Sequence, residues 1–143
     1  MLERAPETPR LAVSRRRALG TLFVHALVIW AACAATMGIG RAATSMETTL
    51  VIHAVAAPIF AVAVSAFYFR RYPYTPPLLT ACVVLAFLAL VDFFLVALVM
   101  LRSLDMFRSF LGTWLPFLLI FAATAATGWV GGAARQRKAR KAS

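Results

Sequence analysis

The chain has 143 residues, 62% of them apolar and 14% charged, where a soluble domain has about 45–50% and about 25%. That balance excludes a soluble globular domain, while seven Gly and seven Pro exclude a collagen-like chain and two Cys are too few for a disulfide framework. The formal charge of +10, from 15 Lys and Arg against 5 Asp and Glu, acquires a meaning only from its distribution along the chain.

Residues 1–18 form a basic tail with Arg4, Arg10, Arg15, Arg16 and Arg17. The first long apolar run, about residues 19–39, follows it. The stretch Ser14-Arg15-Arg16-Arg17-Ala18-Leu19 before this run has the look of a twin-arginine export signal. The run is nevertheless longer than the roughly 7–15 residues of a signal core. It also carries Trp30 midway, so it is read as a retained membrane helix. Three more runs lie at about residues 49–69, 78–100 and 111–130. Each is long enough, at about 1.5 Å per residue, to cross a hydrocarbon core of about 30 Å. None shows period-2 alternation, and in lipid only a helix satisfies its own backbone.

The expected fold is therefore all-α: one bundle of four transmembrane helices, up-down-up-down, spanning residues 19–130 between the basic tails 1–18 and 131–143. Pro58 and Pro116 interrupt the second and fourth runs and are expected to kink them. Short connections join the helices at Arg41–Thr48, Arg70–Pro77 and Arg102–Phe110. The middle one is stiffened by Pro73, Pro76 and Pro77, and the last spaces Arg102, Asp105 and Arg108 for pairing on a short helical turn.

Sorting the cations gives an orientation. The two tails and Arg70 and Arg71 hold twelve of the fifteen, and the opposite side has only Arg41, Arg102 and Arg108. The positive-inside rule then places both termini in the cytoplasm of a cell with an inner membrane. Tyr68, Tyr72, Tyr74 and Trp129 fall at the cytoplasmic interface and Trp114 near the outer one, as an aromatic belt requires. The partners implied are the bilayer itself and anionic headgroups at the basic tails. Nucleic acid is disfavoured by the four spans beside those charges.

Few polar groups enter the membrane: His25, His53, Asp92, Ser65 and scattered Thr. Asp92 is the one acid at depth, where an ionisable group costs at least about 2.5–3.5 kcal/mol and so faces the bundle or a water-filled cavity. It lies about 12 Å from the outer end of its run, and His53 about 6 Å from the outer end of its own. His53 shares an i+4 row with Ala57, Ala61 and Ser65, which turns it inward. A buried Asp92–His53 pair follows, with Thr113 or Trp114 beside it, read either as a packing hydrogen bond or as a proton-linked site. His25 lies on the other side of the membrane and is a packing residue. Cys33 and Cys82 are too far apart to bridge, and no Cys and His spacing suits a metal, so neither metal nor other cofactor is expected.

Small residues recur at i+4 in Ala31/Ala35, Ala34/Gly38 and Ala32/Thr36/Gly40, and in Ala122/Ala126 and Thr124/Gly128/Gly132. Such rows mean close helix packing, within the bundle or against a partner protein or second copy.

Several stretches carry a resemblance over about residues 50–128: His53-Ala54 with Ala57-Pro58, Tyr68-Phe69 with Arg71, Tyr74-Thr75 with Pro77-Leu78, Asp92-Phe93-Phe94, and Gly112-Thr113-Trp114 with Pro116-Phe117. The pattern resembles a family of small four-helix bacterial inner-membrane proteins of no assigned activity. The resemblance implies that His53, Asp92 and the Gly112–Phe117 turn form one connected feature on the outer side, and it implies no substrate. The function expected is that of a membrane protein without a catalytic centre, a binding or assembly partner. The alternative is a small proton-coupled transporter or channel using Asp92, its proton affinity tuned by His53.

Overall fold

The structure, a computed structural model, describes residues 15–72, 74–102, 104 and 108–142. Most of the N-terminal tail and Asp105 of the third connection lie outside the described residues.

Helix α1 runs from Arg15–Ala43, α2 from Met46–Arg71, α3 from Pro77–Val91 and α4 from Leu115–Ala142. Two π-helical pieces complete the far ends of the second pair: Asp92–Leu101 continues α3, and Phe110–Trp114 leads into α4. Among the described residues four helices are thus long and apolar enough to cross a membrane, the architecture of an all-α, multi-pass membrane protein.

The helices exceed the apolar runs because their flanks are good helix formers. Arg15–Ala18 and Arg41–Ala43 join α1, and Arg, Lys, Gln and Ala carry α4 through the whole basic stretch to Ala142. The C-terminal basic stretch through Ala142 is therefore a continuation of the last helix. Only Thr44 and Ser45 separate α1 from α2, and Ser45 caps α2 by accepting from the Thr48 amide. At the far end of α3, Arg102 takes the left-handed conformation, φ 50°, that stops the helix.

Pro58 lies inside α2, which continues through it. Pro116 is the second residue of α4, just after the π-helical turn, so it meets the helix at its start rather than in its interior. A proline lacks the amide and crowds the carbonyl four residues back. The wider turn before it, closed by Leu115 N–H donating to Phe110, makes room for the ring.

Successive helices alternate in direction, but chain neighbours are not all spatial neighbours. α2 packs broadly on α1 and on α4, α4 on α3, and α3 more narrowly on α1. The order around the bundle is α1, α2, α4, α3, which puts the consecutive helices α2 and α3 across a diagonal. The stiff connection between them crosses one end, and α4 accommodates it at Gly128. A Cβ there would lie 2.6 Å from Pro77 Cβ and 2.7 Å from Phe69 Cζ, so only glycine fits.

The start of α1 and the ends of α2 and α4 share this end, here called the basic end. His25 of α1 meets Tyr68 and Tyr72 of α2 there, and Arg135 of α4 reaches Phe69. Gly40 packs on Thr49, and Gly112 lies beside Leu50, at the opposite end.

Packing is small inside and bulky outside. Ala26, Ala57, Ala61, Ala81 and Ala97 are completely buried, while Val24, Val55, Ile59, Leu90 and Phe94 face outward. Lipid is as apolar as any core, so burying bulk gains little and close backbone approach decides which face turns inward.

Candidate functional site

Asp92 sits where α3 becomes π-helical. Its carboxylate accepts a hydrogen bond from the Trp30 indole Nε1 of α1 at 2.9 Å. Trp30 and Asp92 lie on parallel helices, and their hydrogen bond places them at one depth. Both are half-buried, on the narrow α1–α3 seam. Cys33, one turn further along α1, is buried. Both cysteines are free.

His53 is turned inward, 8% exposed, on the row with buried Ala57, Ala61 and Ser65. Its Nδ1 is buried with no hydrogen-bond partner. Among the described residues no hydrogen bond joins it to Asp92, and the expected pair is replaced by Trp30–Asp92. Two geometric facts account for this. The helices that carry His53 and Asp92 are diagonal in the bundle. In addition, with Gly40 on Thr49 and His25 on Tyr68, Trp30 lies level with the α2 turn around Ala61, which is eight residues or roughly 12 Å from His53.

The indole was present in the sequence at the right depth. The signal that finds it is that a buried carboxylate needs a donor, and Trp30 is one of few donors at mid-membrane. Of the other two candidates, Thr113 is buried, its amide donating to Ser109 in the π-helical turn. Trp114 is 52% exposed.

Ser65 donates to Thr124 of α4 at 3.3 Å, lower on the same α2 face. At the basic end, the Tyr68 hydroxyl pairs with Thr75 at 2.9 Å, and Thr75 with Thr80 at 2.6 Å, a relay that ties α2 to the start of α3. Tyr68 is 1% exposed, so it belongs to the core and not to the aromatic belt. Tyr74, Trp129 and Trp114 do face outward. His25 Nδ1 donates to the Thr21 carbonyl at 2.6 Å. Its ring stacks on Phe67 and meets the edges of Tyr68 and Tyr72, which is a packing role.

The small-residue rows divide in two. Gly40 and the Thr124/Gly128 row serve the bundle. Ala31/Ala35, Ala34/Gly38 and Ala122/Ala126 face outward. A shallow apolar groove of about 490 Å³ runs beside the first of these, between Ala35, Thr36 and Ile39 of α1 and Ile52 and Phe60 of α2.

Among the described residues no three His, Cys, Asp or Glu side chains converge as metal ligands would. What the arrangement does chemically is hold one carboxylate by one indole at mid-membrane. Comparison with protein-family models, curated proteins and solved structures finds no match.

Proposed function

We propose that this is a bacterial inner-membrane protein with both termini cytoplasmic, acting as a non-catalytic binding or assembly partner. In this reading Asp92 is a polar anchor of the bundle. The observation that carries it is the Trp30–Asp92 hydrogen bond. The one mid-membrane carboxylate is engaged by a donor from a neighbouring helix, in a seam between helices, and an indole donates a hydrogen bond without exchanging protons at any ordinary pH. The partner surface is the outward row of small residues on α1, suited to a helix of another membrane protein or of a second copy. The cytoplasmic side rests on the basic end, which gathers Arg15–Arg17, Arg70–Arg71 and the α4 cations.

A second reading has its own support. π-helical turns occur often at functional sites, and this one begins at Asp92. In that reading the chain is a small proton-coupled transporter or channel.

One experiment separates the two. The purified protein is reconstituted in vesicles, and internal pH is followed after a gradient is imposed, with Asp92→Asn and His53→Ala as controls. The assembly reading expects wild-type traces that coincide with protein-free vesicles. Proton flux that Asp92→Asn abolishes in a folded protein overturns it in favour of transport. A C-terminal reporter fusion tests the orientation, a cytoplasmic signal being expected.

A further inference from the structure

Two close contacts tie the start of α2 to its neighbours at the end of the bundle opposite the basic end. A Cβ on Gly40 of α1 would lie 2.6 Å from Thr49, and one on Gly112, in the π-helical turn before α4, would lie 3.2 Å from Leu50. His53 comes four residues after Thr49 and three after Leu50, so it stands one turn beneath both contacts, between α1 and the π-helical turn. It is buried there, and its Nδ1 has no hydrogen-bond partner.

No described ionisable side chain is bonded to that ring. Glu47 is on the exposed first turn of α2, and Cys33 is a buried free thiol of α1. Arg41, Arg102 and Arg108 are cations at this end, and they oppose a further positive charge. Asp92, on the diagonal helix, accepts from Trp30 roughly 12 Å further in. From Phe110 to Ala134 the π-helical turn and α4 carry no ionisable side chain. A neutral imidazole fits this seam, whereas a charged one is costly in an apolar site without a partner and well solvated in water.

A hinge lies next to His53. Pro58 offers no amide to the Ala54 carbonyl, so α2 is one backbone hydrogen bond short in the turn directly below. The turn that Leu50 meets, Phe110–Trp114, is π-helical and leads into Pro116. The segment from Met46 to Ala57 can therefore tilt about Pro58 and part the Thr49 and Leu50 contacts together.

We propose that His53 is a pH-sensitive latch. With the imidazole neutral this end of the bundle is closed, and uptake of a proton from the adjoining solution swings the start of α2 away from Gly40 and Gly112, so that the imidazolium reaches water. Imidazole ordinarily titrates between about pH 5 and 8, so the latch answers mild acidity. The device goes beyond the assembly reading and requires neither proton flux nor a partner. The proposed orientation decides only that the acidity it senses is that of the outer side.

The test measures amide hydrogen exchange of the full chain in maltoside micelles at about pH 7.5 and about pH 5, with labelling times scaled to the chemical exchange rate at each pH. In wild type, residues 46–56 and 110–116 are expected to exchange at least about threefold more at the lower pH, and residues 62–71 to show no change. His53→Leu and His53→Gln, which cannot take up the proton, should both lose the response, and Glu47→Gln and Asp92→Asn should keep it. Circular dichroism checks folding. The imidazole makes no bond in the closed form among the described residues, so failure of both His53 variants to fold overturns the proposal. No response in wild type overturns it, as does a response that persists in either folded His53 variant. Loss of the response in Asp92→Asn also overturns it, in favour of a proton site at Asp92, and loss in Glu47→Gln does so in favour of the exposed end of α2. The vesicle assay reads flux and this one reads opening, so the latch and the assembly reading fail separately.

Discussion

The Trp30 indole and the Asp92 carboxylate join α1 to α3 at mid-membrane through one 2.9 Å hydrogen bond. α3 meets α1 over a narrower surface than it meets α4, so a polar link counts for more on this seam than on a broad one. Interhelical hydrogen bonds in membranes are worth about 0.6 kcal/mol on average and up to about 1.7. Trp30→Phe leaves the carboxylate with no donor and should lower stability to unfolding in detergent by about 1–3 kcal/mol. Asp92→Asn keeps an acceptor and should cost less. The coupling from a double-mutant cycle with Asp92→Leu should fall near 1 kcal/mol, and a coupling of zero would remove Asp92 as an anchor.

His53 gives the opposite sign. A ring nitrogen buried without a hydrogen-bond partner costs about 1–3 kcal/mol, and Nδ1 is in that position. His53→Leu, which fills similar space, should therefore leave stability unchanged or raise it. His53→Ala should lower it by opening a cavity. Thermal melting of both variants measures this, and a marked loss from the leucine variant would show that the imidazole has a partner in the membrane.

Gly128 is the position least able to accept a side chain. Its Cβ would fall 2.6–2.8 Å from Pro77 and the Phe69 ring, and both neighbours sit in the rigid α2–α3 crossing. Gly128→Ala should destabilise by about 1–3 kcal/mol despite the better helix propensity of alanine. Gly38→Ala, with open space around it, should be neutral or stabilising in the monomer. If the outward α1 row serves a second copy, the same change should weaken association, which analytical ultracentrifugation in detergent would detect.

The hydroxyl relay tests the crossing from the other side. Tyr68→Phe removes the first member of the Tyr68–Thr75–Thr80 chain and should cost about 1 kcal/mol, the net worth of one hydrogen bond. Thr75→Val breaks both links and should cost more. Equal melting temperatures for the two variants would argue against a connected relay.

Much of the buried pattern is legible in the sequence. The i+4 row of His53, Ala57, Ala61 and Ser65 turned the correct face of α2 inward, because small residues in a membrane helix mark close approach. The partner of Asp92 was not legible. Depth along a run is a property of one segment, while contact depends on which helices are neighbours. Tyr68 shows the same limit: its depth suits the aromatic belt, and its azimuth on α2 places it in the core instead.

The sequence by itself determined that this chain crosses a membrane with four helices and carries most of its cations at one end. Run length and charge placement are properties of single segments in contact with lipid and water, and they need no knowledge of the neighbours. The tertiary structure decided the order of helices around the bundle, and through it that Asp92 meets Trp30 across the α1–α3 seam and not His53 on the diagonal helix. In lipid the apolar runs carry little preference for one neighbour over another. A few specific contacts settle it: a glycine beneath a proline at Gly128 and Pro77, an arginine on a helix end at Arg135 and Phe69, and one indole on one carboxylate.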